Sequence, residues 1–146
     1  MIYITRRMEF SASHRLHNPT FTDEKNDAIY GRCNNRNGHG HNYVLDVTLR
    51  GHVDPATGMV MDLKALKALL DEEIIDKVDH KHLNHDVNFL AGVIPTAENI
   101  VAMFWEILSP KLPANAALHE LKLWESDNNV AYYRGEGATV ARHSAP

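Results

Sequence analysis

One cysteine, Cys33, stands alone in 146 residues, which excludes an intrachain disulfide framework. No apolar run approaches the roughly 18–20 residues that a membrane-crossing helix needs. The first residues, Met1 to Arg7, lack the charged-then-apolar order of a secretory signal. A cytoplasmic protein with no membrane partner is therefore the expectation. Basic charge is not in excess either. With 15 Lys and Arg against 19 Asp and Glu, the net charge is −4, which argues against a nucleic-acid partner. There is no G-x-G-x-x-G fingerprint for a dinucleotide, and no repeat, linker or low-complexity tract. The sequence reads as a single domain over residues 1–146.

The periodicities predict strand, strand, helix, helix, strand, strand. Ile2, Ile4, Met8, Phe10 and Ala12 share one parity of a first strand, and His14 continues it. Tyr43, Leu45, Val47 and Leu49 share one parity of a second strand, which His39 and His41 open. Asp62 is a fitting N-cap for a helix bearing Leu63, Leu66, Leu70 and Ile74 on one stripe. Thr96 caps a second helix that buries Ile100, Phe104, Ile107 and Leu108, and Ser109-Pro110 ends it. A hairpin across Asp127-Asn128-Asn129 closes the chain. The expected fold is α+β, a four-stranded antiparallel sheet with two helices on one face.

Ten histidines are present, and three have a telling arrangement. His39 and His41 lie two apart on a strand, so both rings project from one face about 6.5–7 Å apart. If the first two strands pair antiparallel, His14 arrives beside them. Three histidines with an open position form a catalytic zinc pattern, whereas structural sites are closed by four ligands rich in cysteine. Gly38 and Gly40 leave room for backbone or substrate to approach. The other histidines show no comparable geometry.

Acid–base groups accompany the donors. Cys33 sits in Gly31-Arg32-Cys33-Asn34-Asn35, a polar loop where nearby cations favour the thiolate. It suits either a proton-abstracting base or a fourth metal ligand. Asp79-His80 pairs a carboxylate with an imidazole, although sequence neighbours do not automatically touch. Glu125 shares the parity of Leu121 and Leu123, so an acid emerges from an apolar face, where it must be paired or functional. Glu98 lies in the first turn of the second helix, where an acid also complements the dipole. Six of the eight arginines, Arg15, Arg32 and Arg36 among them, fall within the first 50 residues. Such a region fits either a solvated surface or a compact polyanion such as a phosphate chain.

Together, Phe10-Ser11-Ala12-Ser13-His14-Arg15-Leu16, Cys33-Asn34-Asn35 through His39-Gly40-His41-Asn42-Tyr43, Asp54-Pro55-Ala56-Thr57-Gly58, Val78-Asp79-His80-Lys81, Thr96-Ala97-Glu98-Asn99 and Trp124-Glu125-Ser126-Asp127-Asn128-Asn129 resemble the 6-pyruvoyltetrahydropterin synthase family from about Arg7 to Gly135. The resemblance implies a tunnelling fold, in which sheets join into a barrel and two trimers stack as a homohexamer with sites between subunits. It implies Zn2+ on His14, His39 and His41, Cys33 as the base, and Asp79 and His80 as a relay from a neighbouring subunit. Glu125 matches a further acid, and Thr96 and Glu98 match positions anchoring a pterin ring. Arg15, Arg32 and Arg36 are candidates for triphosphate. The implied reaction converts 7,8-dihydroneopterin triphosphate to 6-pyruvoyltetrahydropterin with loss of triphosphate. The family commonly has Thr-Thr-Glu where this chain has Thr96-Ala97-Glu98.

The nearest alternative is the 6-carboxytetrahydropterin synthase branch of queuosine biosynthesis, whose sequences resemble Cys-x-x-x-His-Gly-His. Here five residues, Asn34 to Gly38, separate the thiol from His39, as in the pyruvoyl branch. A branch making the hydroxymethyl pterin usually has an acid in place of the cysteine. A non-catalytic zinc or pterin-binding module would need no proton relay, and a plain zinc hydrolase would be expected to carry an acid beside a ligand.

Overall fold

The computed structural model describes residues 1–138 and 140–144. Its elements run β1 (Ile2–His14), α1 (Asp23–Tyr30), β2 (His39–Gly51), α2 (Leu63–Leu70), α3 (Asp76–Val78), β3 (Lys81–His82), α4 (Ala97–Leu108), β4 (Ala116–Ser126) and β5 (Asn129–Tyr133). The sheet has five strands in the order β3-β1-β2-β4-β5. The expected antiparallel set β1-β2-β4-β5 is present, but β3 joins at the edge and runs parallel to β1. The sheet is thus mixed and not four-stranded. The added strand is held by backbone bonds from His80 N–H to Ser11 and from Leu83 N–H to Ser13, and two residues are too few for an alternation to show in sequence.

One face of the sheet is apolar. Phe10, Tyr43, Leu45, Leu49, Leu121 and Leu123 pack against Leu66, Leu70 and Ile74 on one side and Ile100, Phe104 and Leu108 of α4 on the other. Each such side chain contributes about 1.5–3 kcal/mol by leaving water. The opposite face is polar: Arg7 forks onto Asp46 at 2.7 and 2.8 Å, and Thr5 meets Thr48 at 2.8 Å.

The stripe on α2 differs from expectation at one end. Leu63 is exposed, whereas Leu66, Leu70, Ile74 and Val78 are fully buried. Steps of four residues overshoot an α-helical turn by about 40° each. A π-helical turn at Asp71–Ile75 lies within this stretch and takes up the overshoot, keeping Val78 on the core.

The connection between β1 and β2 carries a helix of its own. Thr22 caps α1, whose single buried residue is Asn26. The Asn26 side chain accepts from Asn18 N–H at 2.8 Å and donates to Asn18 C=O at 3.0 Å. This helix is anchored by a polar clasp instead of an apolar stripe.

Candidate metal centre and adjoining pocket

The β1–β2 register pairs His14 directly with His39 and Ala12 with His41. Three imidazoles consequently converge at one end of the sheet, with one ligand-type atom from each lying within 4.8 Å of the others. The Nε2 atoms of His14 and His39 are 3.1 Å apart. Two nitrogens on one tetrahedral zinc at ordinary bond lengths stand about 3.3 Å apart, so the spacing suits a shared ion. His14 is buried, and its Nδ1–H donates to the Pro95 carbonyl at 2.8 Å, with the Tyr43 hydroxyl 3.3 Å from the same nitrogen. A carbonyl can only accept, so the proton sits on Nδ1 and the Nε2 lone pair faces the cluster.

Electrostatics favour the same state. Burial pushes the His14 pKa down to about 4, opposed by the Pro95 bond and reinforced by His39 and His41. Burial likewise lowers His41, with Glu125 opposing. Both rings are neutral at pH 7, the form that binds metal. His41 Nε2 is buried and lacks a hydrogen-bond partner among the described residues; its closest charged neighbour, Glu125 Oε1, lies 3.6 Å away. An orphaned buried nitrogen is costly, and a metal would satisfy it. The donor set fits a divalent ion with an open position.

Gly38, just before the first donor of β2, has a φ of +74°, and a Cβ there would lie 2.8 Å from the His14 carbonyl. Only glycine fits that approach. At Gly40 the contact would be an ordinary 3.5 Å, so only one of the two glycines is required.

Cys33 lies partly buried in a 3₁₀ turn, Gly31–Asn34. Its carbonyl accepts from Leu16 N–H at 2.8 Å, tying the loop to the chain two residues past His14. The thiol is not among the closely converging donors, which among the described residues are the three histidines.

Glu125 emerges on the helix side of β4, as its parity predicts, next to a bulge that follows Trp124. With Thr96, Glu98, Leu16 and Asn128 it lines a cavity of about 510 Å³. Thr96 Oγ1 accepts from Asn99 N–H at 3.3 Å and thereby caps α4. Two carboxylates in one cavity suit a ligand rich in N–H donors.

Asp79 and His80 do touch, at 3.0 Å between Oδ2 and Nδ1. The Ser11 backbone N–H holds the Asp79 carboxyl below its usual range, with His80 adding to this. His80 adopts a left-handed φ of 59°, and its side chain is 82% exposed. It lines a cavity with His41, Lys81 and His82 but makes no hydrogen bond to the three histidines of its own chain. Arg15 stands apart from the Glu98 cavity: its Nε donates to Asn34 C=O at 2.9 Å, and it lines two other cavities. Sequence reasoning missed Pro95 as the partner of His14 and the clasp of Asn84 on the Arg15 backbone, at 2.8 Å in each direction. A carbonyl acceptor leaves no trace in residue type, so no sequence signal marked the first.

The chain is similar to proteins already known. Residues 3–136 match the family described as 6-pyruvoyl tetrahydropterin synthase. The 6-pyruvoyl tetrahydrobiopterin synthase of Homo sapiens is 47% identical over 133 residues, covering 91% of this chain and 91% of the human protein. A solved structure of the Caenorhabditis elegans 6-pyruvoyl tetrahydropterin synthase superposes with a TM-score of 0.86 at 40% identity, covering 92% of this chain and 96% of that one. The 6-carboxy-5,6,7,8-tetrahydropterin synthase of Rickettsia typhi is less similar, 32% identical over 88% of this chain and 96% of its own.

Proposed function

The chain belongs to the 6-pyruvoyl tetrahydropterin synthase family, and from that premise we propose that it converts 7,8-dihydroneopterin triphosphate to 6-pyruvoyltetrahydropterin, releasing triphosphate. The observation that carries this reading is the convergence of three neutral-favoured imidazoles beside a cavity bearing two carboxylates. Zinc is the metal proposed for His14, His39 and His41, where it would act as a Lewis acid toward the side-chain hydroxyls of the substrate.

The protein's own groups divide the remaining work. Glu98 accepts hydrogen bonds from the N–H edge of the pterin, with Thr96 beside it. Cys33 takes the carbon-bound proton of the side chain on its sulfur, and the Asp79–His80 pair and Glu125 move protons to and from the ring and hydroxyls. The triphosphate departs as an anion. The redox change is internal, so no hydride carrier is required.

The exposure of the His80 side chain, and its lack of a hydrogen bond to the three histidines of its own chain, support a site completed across subunits. The tunnelling barrel and homohexamer of the family are therefore proposed for this chain, with Asp79 and His80 serving a neighbour. The polar sheet face and short edge strand β3 are compatible with sheets joining edge to edge.

Product analysis tests the reading. Metal-loaded protein incubated with 7,8-dihydroneopterin triphosphate should give the 6-pyruvoyl product by mass spectrometry, and Cys33→Ala should lose turnover while keeping metal. A 6-carboxy product with acetaldehyde would move the chain to the other branch. Absence of any turnover with metal bound would sink the catalytic reading.

A further inference from the structure

The family match ends at residue 136, and the chain beyond it is fastened down at successive points. Gly137 and Ala138 donate their backbone N–H groups to the Tyr133 hydroxyl at 2.8 and 2.9 Å. Val140 packs on the core. Arg142 then donates to the Ala91 and Phe89 carbonyls at 2.7 and 3.0 Å, and His143 N–H donates to the Gly92 carbonyl at 2.7 Å. The C-terminal segment is a strap.

It lies on the connection from β3 to α4. Asn88–Leu90 make one 3₁₀ turn there, and the carbonyls at the end of a helical turn have no partner within it. Among the described residues, only Arg142 and His143 donate to the carbonyls of Phe89, Ala91 and Gly92. One planar guanidinium holds two of them, as its fork of donors allows. Gly92 has a φ of +75°, and a Cβ there would lie 2.9 Å from the His143 carbonyl. The connection is therefore shaped to receive the strap closely.

The fastened backbone leads directly to the three histidines. Val93 is buried and bonds back to Leu90 C=O at 3.0 Å, and Asn99 of α4 donates to Ile94 C=O at 2.9 Å. The next carbonyl, that of Pro95, accepts from His14 Nδ1–H. Its position is thus set by a short run of chain gripped by α4 at Ile94 and by the strap at Gly92. Arg142 itself bonds to none of the histidines and does not line the Glu98 cavity.

We propose that Arg142 and the C-terminal strap position the metal centre: by holding residues 89–92 they hold the Pro95 carbonyl against His14 and keep its Nε2 aimed at the other two rings. The proposal rests on the reading of His14, His39 and His41 as metal ligands. It goes beyond that reading, because metal affinity in this chain then depends on residues outside the family-matched part. Arg142 is a positioning residue, acting through backbone alone.

The test is competition for Zn2+ between the full chain and a chromophoric chelator, with visible spectra of the Co2+-loaded protein alongside. Losing the outer hydrogen-bond partner of a ligating histidine weakens metal binding roughly 10–100-fold, so a device one step further out should cost less. Arg142→Ala should raise the Kd for Zn2+ roughly threefold, and deletion of residues 139–146 roughly tenfold. Arg142→Lys should recover part of the loss. The ligand-field bands of Co2+ should shift in the deletion variant, because the His14 ring is no longer held in one orientation. Lower melting temperatures with Zn2+ affinity and Co2+ bands unchanged would make the strap merely structural and overturn the proposal. Should the deletion variant fail to fold, the Zn2+ affinity of Arg142→Ala decides alone. A wild type that takes up neither metal would refute the metal reading, and the proposal with it, which is a different result from uptake indifferent to the strap.

Discussion

His14 and His39 stand directly opposite each other in the β1–β2 ladder, with their Nε2 atoms 3.1 Å apart. Two lone pairs at that distance repel unless a proton or a cation lies between them. The pairing register thus builds the donor geometry before any ion arrives.

Removing one ring should empty the site. His39→Ala is expected to reduce bound metal from about one equivalent per chain to a small fraction, read by elemental analysis after dialysis. Chelation of the wild type should lower its melting temperature, because a ligand bound only to the folded state stabilises it. A variant retaining a full equivalent would show that the three histidines are not the ligands.

The metal-free protein should lose stability in mild acid. Burial depresses the His14 pKa to about 4, against an ordinary 6.5 in the unfolded chain. The unfolded state therefore takes up the proton first, and stability present above pH 6.5 is lost as pH falls toward 4. The slope from this one group is at most about 1.4 kcal/mol per pH unit. Melting temperatures of the chelated protein between pH 7.5 and 4.5 should fall less steeply for His14→Gln, with a residual slope from His41. Parallel curves would remove His14 as the cause.

Gly38→Ala should be costly at a surface-loop position that looks tolerant. It combines a left-handed φ with a contact of 2.8 Å to the His14 carbonyl, and a loss of about 1–3 kcal/mol follows from strain of this type. Chemical denaturation measures it. Metal affinity should fall with stability, since the same shift moves His14 or His39. A neutral substitution would mean the turn can relax without disturbing the ladder.

Thr96 carries two duties that can be separated. Its hydroxyl caps α4, so Thr96→Ala should cost about 1 kcal/mol of stability. Thr96→Ser should restore most of it. If the hydroxyl also meets substrate, KM should rise in the alanine variant beyond what the serine variant shows. A KM unchanged in both would confine Thr96 to the cap.

Much of the site was legible because it depends on parity. Alternation placed His14, His39 and His41 on one face, and the antiparallel assumption needed to join them is the simplest available to consecutive strands. Glu125 was found through the same logic. The helices declared themselves through Asp62 and Thr96, whose side chains accept from backbone N–H groups as caps do. What stayed hidden was held by interactions without a period. The helix at Asp23–Tyr30 buries an asparagine instead of an apolar stripe, and β3 is only two residues long. Whether Asp79 and His80 touched required coordinates, because adjacency in a chain says little about side-chain direction.

The carbonyl of Pro95 that fixes the His14 tautomer belongs to the peptide unit leading directly into Thr96, the cap of the helix bearing Glu98. The three-histidine cluster and the Glu98 cavity proposed to take the ring are therefore gauged against each other by a single rigid link, like the jaws of a caliper. Any movement of the helix start would turn the imidazole as well. A molecule with a longer or shorter span between its ring and its hydroxyls would be rejected at both jaws at once.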